Sequence, residues 1–260
     1  MPIVTLDQQP IFFERHNQHT AEAALPPVLF IHGAGGTCLQ WPPQARRLPQ
    51  VDVYAVDLPG HARSPAPGRA TIAAYSDLLL KLTDQLALPP FVAVGHSMGG
   101  AIALEMALCA PARLAGLVLV GTGASLRVNP ALLVGIRDEF DATTAQLVEW
   151  MYAAKLTAKA HERALTQLRA TPPAVLYDDF AACAAFDRRD KVATIKAPTL
   201  IICGAADKMT PVKWSESLHQ AIDHSHLHIV EGAGHMVMVE KPKVVTDLLA
   251  NFVTTLTITE

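Results

Sequence analysis

The sequence contains few of the features that mark disulfide-rich or metal-stabilised proteins. Its four cysteines, Cys38, Cys109, Cys183 and Cys203, are scattered through 260 residues and form no Cys-x-x-Cys pair. This spacing argues against a disulfide framework and against a zinc knuckle, and it fits reduced thiols in the cytoplasm. We therefore expect a cytoplasmic protein that needs no metal.

Charge of one sign is not in excess. Lys and Arg together number 21 and Asp and Glu 24, which gives a formal net charge of −3. A chain so evenly balanced has no electrostatic reason to bind nucleic acid or an anionic membrane surface.

Long apolar runs are also missing. The most apolar window, residues 92–110, is interrupted by His96, Ser97, glycines and Glu105, whereas a transmembrane helix needs about 20 mostly apolar residues. The first residues meet Asp7 before any apolar stretch, unlike a signal peptide. We expect no membrane span.

Apolar residues make up 50% of the chain and charged residues 17%, enough for one large domain with a full core. Short apolar runs, which predict buried parallel strands, alternate with helical patterns, a combination typical of a doubly wound, mostly parallel α/β sheet. The predicted strands are residues 28–31, 51–56, 91–94, 117–120, 199–203 and 227–230, with an antiparallel edge hairpin near 3–6 and 11–15. The predicted helices between them are 72–88, 100–109, 212–222 and 243–256.

Residues 125–191 break this alternation. They offer four helical patterns (131–140, 144–156, 158–169 and 174–186) and no convincing strand. We interpret them as a helical insertion into a core formed by residues 1–124 and 192–260.

The most specific motif is G-H-S-M-G at residues 95–99, which directly follows one predicted strand and directly precedes a helix. A nucleophile elbow requires this context, because glycines on both sides relieve the clashes of a very tight turn. Ser97 would then project at the carboxyl end of the sheet, where open α/β sheets bind their ligands. The sequence therefore predicts Ser97 as a catalytic nucleophile.

A serine nucleophile needs a base, and the base needs an orienting acid. His235 lies in a glycine-containing loop just beyond the last predicted strand, and Asp207 follows the strand before it. Both would meet Ser97 at one edge of the sheet, so we predict Asp207 and His235 as its partners. A helix-capping role for Asp207 is the alternative.

Other histidines near these strands have less support. We expect His96 to pack beneath the elbow and His32 and His61 to be structural. Asp57, which ends an earlier strand, fits a turn-stabilising role better than a catalytic one.

A developing oxyanion needs nearby backbone donors. The small residues after the first parallel strand, H-G-A-G-G at residues 32–36, allow a close approach of backbone to substrate. We predict the N–H groups of Ala34 and Met98 as donors, with Gly35 as the next candidate.

Together, the H-G-A-G-G, D-L-P-G-H, G-H-S-M-G-G, G-A-A-D-K-M-T-P and G-A-G-H-M segments resemble the α/β-hydrolase superfamily, in the serine hydrolase branch with a helical cap. The resemblance covers nearly the whole chain, and it implies that the insertion at 125–191 is a cap over the active site. Ser97 excludes the aspartate-nucleophile chemistry of dehalogenases and epoxide hydrolases. Met236 departs from the aromatic residue that follows the catalytic histidine in carbon–carbon bond hydrolases.

The predicted function is therefore hydrolysis of small-molecule carboxylic esters through an acyl-enzyme, as in carboxylesterases, without a cofactor. A lactonase, a thioesterase, a hydroxynitrile-type lyase or a ligand-sensing receptor would share the motifs. We expect a monomer or homodimer. Candidate substrate-binding residues are Trp41, Trp150, Met151, Tyr152 and Phe186.

Overall fold

The computed structural model describes residues 2–16 and 25–256. Residues 1, 17–24 and 257–260, which fall in the ranges predicted for the core, lie outside the described residues. The strands are β1 (Ile3–Leu6), β2 (Gln9–His16), β3 (Val28–Ile31), β4 (Val53–Val56), β5 (Phe91–His96), β6 (Leu114–Val120), β7 (Thr199–Gly204) and β8 (Ser225–Val230).

These strands form one sheet in the order β1-β2-β4-β3-β5-β6-β7-β8. The two edge pairings, β1 with β2 and β2 with β4, are antiparallel, and all pairings from β4 to β8 are parallel. The prediction of a mostly parallel α/β sheet with an antiparallel edge hairpin is confirmed.

Helices cover both faces of the sheet, and four more, the third to the sixth in chain order, lie in one long connection. They are α1 (Ile72–Gln85), α2 (Met98–Cys109), α3 (Pro130–Asp138), α4 (Phe140–Met151), α5 (Ala158–Arg169), α6 (Pro173–Ala185), α7 (Val212–Ala221), α8 (Val237–Glu240) and α9 (Pro242–Thr254). Alternate residues of β3 belong to different core clusters: Leu29 packs with the cluster of α1 and α2, and Phe30 with that of α9. Such strands must be apolar on both sides, which is why their sequences are unbroken apolar runs.

Helices α3 to α6 confirm the predicted helical insertion between β6 and β7. Their apolar faces form a third cluster that includes Ile136, Leu147 and Leu176. A single antiparallel bridge joins Ser125 to Asp187, so the chain leaves and re-enters the core at neighbouring points. This placement suits the boundaries at 125 and 191, which stay a prediction.

Some boundaries differ from those predicted. Strand β4 begins at Val53 rather than at residue 51, and α4 begins at Phe140, directly after α3, rather than at 144. The short helix α8 was not predicted, because four residues are too few for a periodic pattern. Among residues 2–16 and 25–256, no helix is both long and apolar enough to cross a membrane.

Candidate active site

Ser97 stands in the turn between β5 and α2, with φ 54° and ψ −117°. Packing around this turn is too tight for side chains on either side: a Cβ on Gly95 would lie 2.1 Å from the carbonyl oxygen of Gly99, and one on Gly99 would lie 2.3 Å from that of Ile31. The Ser97 N–H donates to the Val120 carbonyl at 2.9 Å. The strand-to-helix elbow predicted from the motif is therefore present.

Asp207 and His235 form a buried pair. The imidazole Nδ1 lies 2.9 Å from the carboxylate Oδ2, and the two side chains are 2% and 0% exposed. Because a carboxylate only accepts hydrogen bonds, Nδ1 carries the proton and Nε2 is left unprotonated in the neutral ring. This tautomer is the one that a general base toward a serine requires.

Thr210, which the sequence argument did not single out, completes this pair. Its hydroxyl donates to Asp207 Oδ2 at 2.7 Å and lies 3.2 Å from the imidazole Nδ1 of His235. Burial by itself would raise the pKa of Asp207, but the charge of His235 and the hydrogen bonds from His235 and Thr210 outweigh it, so the pKa lies below its usual value. The carboxylate therefore stays ionised.

Asp207 also caps the turn that leads to α7. Its Oδ1 accepts the N–H groups of Met209 at 2.9 Å and Thr210 at 2.8 Å, while Oδ2 faces His235. The capping role and the role beside the histidine, which the sequence presented as alternatives, are held by different oxygens of one carboxylate.

Ser97 and His235 line one small space of about 20 Å³, together with Gly33 and Ala34. Within the described residues, no hydrogen bond joins the Ser97 hydroxyl to the imidazole. Catalytic hydrogen bonds are often long before substrate binds and shorten in the complex. The space itself is near the minimum for a single water molecule.

The two predicted oxyanion donors, Ala34 and Met98, lie on either side of Ser97 in the fold, one in the loop after β3 and one at the start of α2. Ala34 lines the small space, and Met98 is the first residue of α2, where a helix leaves its N–H groups unpaired. Neither N–H has an acceptor among residues 2–16 and 25–256. The third candidate, Gly35, is engaged: its N–H donates to Asp179 Oδ2 at 3.2 Å.

Two further histidines are buried and neutral. His96 lies under the elbow, its Nε2 3.0 Å from the carbonyl oxygen of His235, and burial together with His235 lowers its pKa to about 3. His32 accepts the Leu58 N–H at 2.9 Å, and burial together with His61 lowers its pKa to about 3. The structural roles predicted for His32 and His96 agree with this geometry.

Glu240 supports the loop that carries His235 and was also missed in the sequence. Its carboxylate accepts the Gly234 N–H at 2.7 Å and the Ala153 N–H at 2.9 Å. Glu240 thus ties the histidine loop to the residues after α4. Asp57 holds a turn, as predicted, by accepting the Cys38 N–H at 2.8 Å and pairing with Arg63 at 2.9 Å.

Two larger cavities flank the small space. One, of about 350 Å³, is lined in part by Trp41, Met151 and Tyr152. The other, of about 200 Å³, includes Ser97 and Trp150 in its lining. Four of the five candidate substrate-binding residues therefore line a cavity.

Phe186, the fifth, is 4% exposed and belongs to the core cluster of α1 and α2. Trp41 is also fully buried and packs on Phe30, with 4.7 Å between ring centroids.

Within the described residues, no group of three or more His, Cys, Asp or Glu side chains could hold a metal ion.

Comparison with known proteins agrees with this fold. Residues 28–248 match the Alpha/beta hydrolase family. The chain is 25% identical to a pimeloyl-[acyl-carrier protein] methyl ester esterase of Yersinia enterocolitica, with 86% of this chain and 92% of that protein covered. It is 27% identical to 3-oxoadipate enol-lactonase 1 of Acinetobacter baylyi, with 88% of each covered.

Solved structures give the same result. A thermophilic esterase superposes with a TM-score of 0.83 at 30% identity, over 98% of this chain and 97% of that one. The chain belongs to the α/β-hydrolase family, and it is a hydrolase with esterases among its structural relatives.

Proposed function

We propose that this chain is a serine hydrolase that cleaves carboxylic esters of small molecules through an acyl-enzyme intermediate. The observation that carries the proposal is the buried Asp207–His235 pair, which opens onto the same small space as Ser97. Ala34 lines that space and Met98 directly follows Ser97, so their backbone N–H groups are the proposed oxyanion donors. These parts supply a nucleophile, a base, an orienting acid and an oxyanion site, which is the full set for acyl transfer.

In the first half-reaction, His235 Nε2 takes the proton of Ser97 while the hydroxyl oxygen attacks the ester carbonyl carbon. The Ala34 and Met98 N–H groups bind the oxyanion that forms, and Asp207 stabilises the imidazolium. The imidazolium then gives its proton to the departing alcohol oxygen as the carbon–oxygen bond breaks. Ser97 is left as an acyl ester.

In the second half-reaction, His235 accepts a proton from water, whose oxygen attacks the acyl carbon. The same two N–H groups bind the second oxyanion. When it collapses, the bond to Ser97 breaks and the serine regains its proton from the imidazolium, which releases the carboxylic acid.

Each of the two flanking cavities would hold the group on one side of the ester bond. Met151 and Tyr152 would contact one side and Trp150 the other, while Trp41, fully buried against Phe30, would support the wall of the larger cavity. We take residues 125–191 as the cap over this site and 1–124 with 192–260 as the core. Phe186, by its burial, would support the cap base rather than touch substrate.

Ser97→Ala tests the assignment directly. We expect turnover of p-nitrophenyl acetate to fall at least about a thousandfold, because the nucleophile is lost while binding remains. Ser217→Ala, an exposed serine on α7, is the matched control. A phosphonate ester should label Ser97 in the wild type; an adduct elsewhere, or near-normal turnover of Ser97→Ala, would contradict the mechanism.

A lactonase is the second candidate, because the chain resembles enol-lactonases in sequence, at 27%, and in structure, at 25% with a TM-score of 0.84. The same residues would open a lactone, with the alcohol remaining attached to the acyl group. Esters, lactones and thioesters tested in parallel with wild type and Ser97→Ala would separate these activities. A single turnover that stops at stoichiometric product would instead favour a ligand-sensing receptor.

A further inference from the structure

A second buried histidine–aspartate pair lies beside the proposed oxyanion site and takes no part in the mechanism above. His61, in the loop after β4, places Nε2 2.8 Å from Oδ2 of Asp179, which belongs to the cap helix α6. Both side chains are 0% exposed. A fully buried ion pair is costly in desolvation unless it is well hydrogen-bonded, so its environment matters.

Both nitrogens of His61 face atoms that only accept hydrogen bonds. Nδ1 lies 3.0 Å from the Pro59 carbonyl oxygen, and Nε2 faces the carboxylate. The ring therefore carries both protons. Burial opposes this charge, but Asp179 more than compensates and raises the pKa of His61 above its usual value. The nearby His32 ring, 4.8 Å away, is neutral.

Asp179 gathers two further donors from the core. The Tyr75 hydroxyl on α1 donates to Oδ1 at 2.8 Å, and the Gly35 N–H donates to Oδ2 at 3.2 Å. The carboxylate of Asp179 thus binds three parts of the core: α1, the loop after β4, and residues 33–36, which we call the oxyanion loop. Asp179 Oδ2 is the acceptor of the Gly35 N–H.

Gly35 directly follows Ala34, the proposed oxyanion donor. Gly35 has φ +63°, and a Cβ there would lie 2.4 Å from Leu168 Cδ1 on the cap helix α5. The loop is therefore packed against the cap on one side and hydrogen-bonded to it on the other. When the Gly35 peptide is fixed, the direction of the neighbouring Ala34 N–H is restricted as well.

We propose that Asp179 is a positioning residue that orders the oxyanion loop, so that the oxyanion site is complete only while α6 is seated on the core. This inference rests on the proposed function, since the loop matters for catalysis only if Ala34 binds the oxyanion. Its structural part, that Asp179 orders Gly35, stands separately and can be measured without any substrate.

The test is a graded series at Asp179. Asp179→Asn keeps an acceptor oxygen without the charge, and Asp179→Leu removes the acceptor at similar volume. We expect kcat on p-nitrophenyl acetate to fall about threefold to tenfold in Asn and about tenfold to hundredfold in Leu, less than the loss of an oxyanion donor itself, with KM changed by less than about threefold. Tyr75→Phe is the control, because it removes one donor to Asp179 without touching Gly35.

Amide hydrogen exchange of the peptide that spans residues 33–36 is the second readout. Exchange should accelerate in Asn, accelerate further in Leu and stay near wild type in Tyr75→Phe. Unchanged exchange and kcat in both Asp179 variants would overturn the inference; if Leu does not fold, the Asn variant decides by the same two measurements. Altered exchange in an enzyme that keeps full activity without Ser97 would instead refute the proposed function and leave the loop contact intact.

A different observation, the charge of the two flanking cavities, carries a second inference. Among the described residues, the lining of the larger cavity includes no charged side chain, and Tyr152 is its one titratable residue. The smaller cavity, which includes Ser97, has Arg127 and Lys208 in its lining and no carboxylate among the described residues. The site is therefore electrically asymmetric along the axis on which the ester would lie.

Neither cation is neutralised nearby. Among residues 2–16 and 25–256, neither Arg127 nor Lys208 has an ion-pair partner within 4.0 Å. Arg127 acts on the carboxylate of Asp187, which is already paired with Arg189. The hydrogen bonds from Arg189 lower the pKa of Asp187 to about 2, and Arg127 adds only a weaker effect at longer range. The remaining walls are mostly apolar and include Leu132, Trp214 and Phe180.

We infer that the group entering the smaller cavity is a short apolar chain that ends in a carboxylate. The substrate class would be half-esters of dicarboxylic acids or carboxylate-bearing lactones. The apolar walls would contact the methylene chain, and Arg127 and Lys208 would bind the anion at its end. This inference deepens the proposed function and depends on it.

Monomethyl adipate and methyl hexanoate form a suitable pair, since they share one acyl chain length and differ in the terminal carboxylate. We expect wild type to prefer the half-ester in kcat/KM, and Arg127→Met or Lys208→Met each to reduce that preference about threefold to fivefold, with high salt acting in the same direction. Lys159→Met, an exposed lysine that lines neither cavity, controls for net charge.

Equal kcat/KM for the two esters in wild type, or an equal loss on both esters in the variants, would overturn the inference. Hydrolysis of neither ester by the wild type, together with no phosphonate label on Ser97, would count against the proposed function instead. Folding of each variant is checked by its thermal transition, and both cations are exposed, so little loss of stability is expected.

Discussion

The backbone of Ser97, at φ 54° and ψ −117°, lies in a region that only glycine occupies without strain. Relief of such strain contributes about 1–3 kcal/mol, partly offset by about 1 kcal/mol of added unfolded-state entropy when glycine is introduced. We therefore expect Ser97→Gly to be more stable than Ser97→Ala by about 1 kcal/mol, whatever the effect of each variant on activity. Urea unfolding measures the difference, and a Ser97→Gly variant less stable than Ser97→Ala by about 1 kcal/mol would mean that the elbow stores no strain.

Single residues were predictable where a local motif names them. Ser97, Asp207 and His235 each follow a strand within a recognisable segment, so their common edge could be predicted. Asp179 could not be, because its partners His61 and Gly35 are 118 and 144 positions away. No local pattern of sequence marks a contact of that range.

The same reasoning explains why Glu240 was missed. Its carboxylate binds a backbone N–H six residues back and another 87 residues back, at Ala153. The sequence at Gly234 or Ala153 could not indicate this contact, because every residue except proline carries a backbone N–H donor. Support for a catalytic loop of this kind is visible only in three dimensions.

Among the elements, α2 is tied to the chain that follows α6 by a two-pronged ion pair. Arg188 donates from Nε to Glu105 Oε2 at 2.7 Å and from its terminal nitrogen to Oε1 at 2.9 Å, and the Glu105 side chain is 6% exposed. Arg188→Met leaves a buried carboxylate unpaired. We expect the free energy of unfolding to fall by about 2–3 kcal/mol.

Thermal or urea denaturation measures this loss, and Arg189→Met, whose pair with Asp187 is exposed, is the matched control. Adding Glu105→Gln should recover part of the loss, because the unpaired charge is removed. No change in Arg188→Met would argue that water reaches Glu105 and that the pair contributes little.

The His61–Asp179 pair makes the contact between α6 and the core depend on pH. The folded pKa of His61 lies above its unfolded value of about 6.5, so its stabilisation is complete below that pH and is lost as pH rises through the folded pKa. Asp179, Tyr75 and His32 surround this ring. The stability lost in His61→Gln should therefore be largest at acidic pH and should shrink on the alkaline side.

Unfolding midpoints of wild type and His61→Gln across this pH range test the sign, with the exposed His226→Gln as control. A gap that widens toward alkaline pH would mean that the pair forms between neutral groups.

Elements were predicted best where the periodic pattern is long or the apolar run unbroken. Helix α5 and strand β3 begin and end at the predicted residues. The start of α4 was placed four residues late, because Phe140 was assigned to the end of the preceding helix and residues 141–143 to a loop, yet α4 follows α3 with only Glu139 between them. The packing of the third cluster, which helices α3 to α6 form, overrides that local preference.

At the scale of the whole molecule, Leu168 separates the larger cavity from the space over Ser97. It is 4% exposed and lines both. Leu168→Ala should join the two spaces and enlarge the room for the alcohol side of the ester, so that kcat/KM for octyl acetate rises at least about fivefold relative to methyl acetate, while stability falls by about 2–3 kcal/mol. Leu165→Ala, on the same helix but lining neither space, should leave the ratio unchanged; a similar shift in both variants would remove Leu168 from this role.

The overall architecture was the most predictable level, because the central strands are unbroken apolar runs and most of the parallel strands are connected through α-helices. The shape of the cavities could not be predicted, because it depends on how helices α3 to α6 pack against the core. Trp41 illustrates the limit: its position near the oxyanion loop was evident, but its close packing on Phe30 was not.

The space of about 20 Å³ above Ser97 affects the route by which a substrate reaches the serine hydroxyl. A single solvent molecule fits there, so the room for a substrate beside Ser97 lies in the cavity of about 200 Å³ that Ser97 also lines. We therefore expect a substrate to approach the hydroxyl from that cavity, and Phe180 and Met209, which line both spaces, to be the first side chains that a bulky substrate displaces. Turnover should then fall as the substituent beside the reacting carbonyl becomes wider.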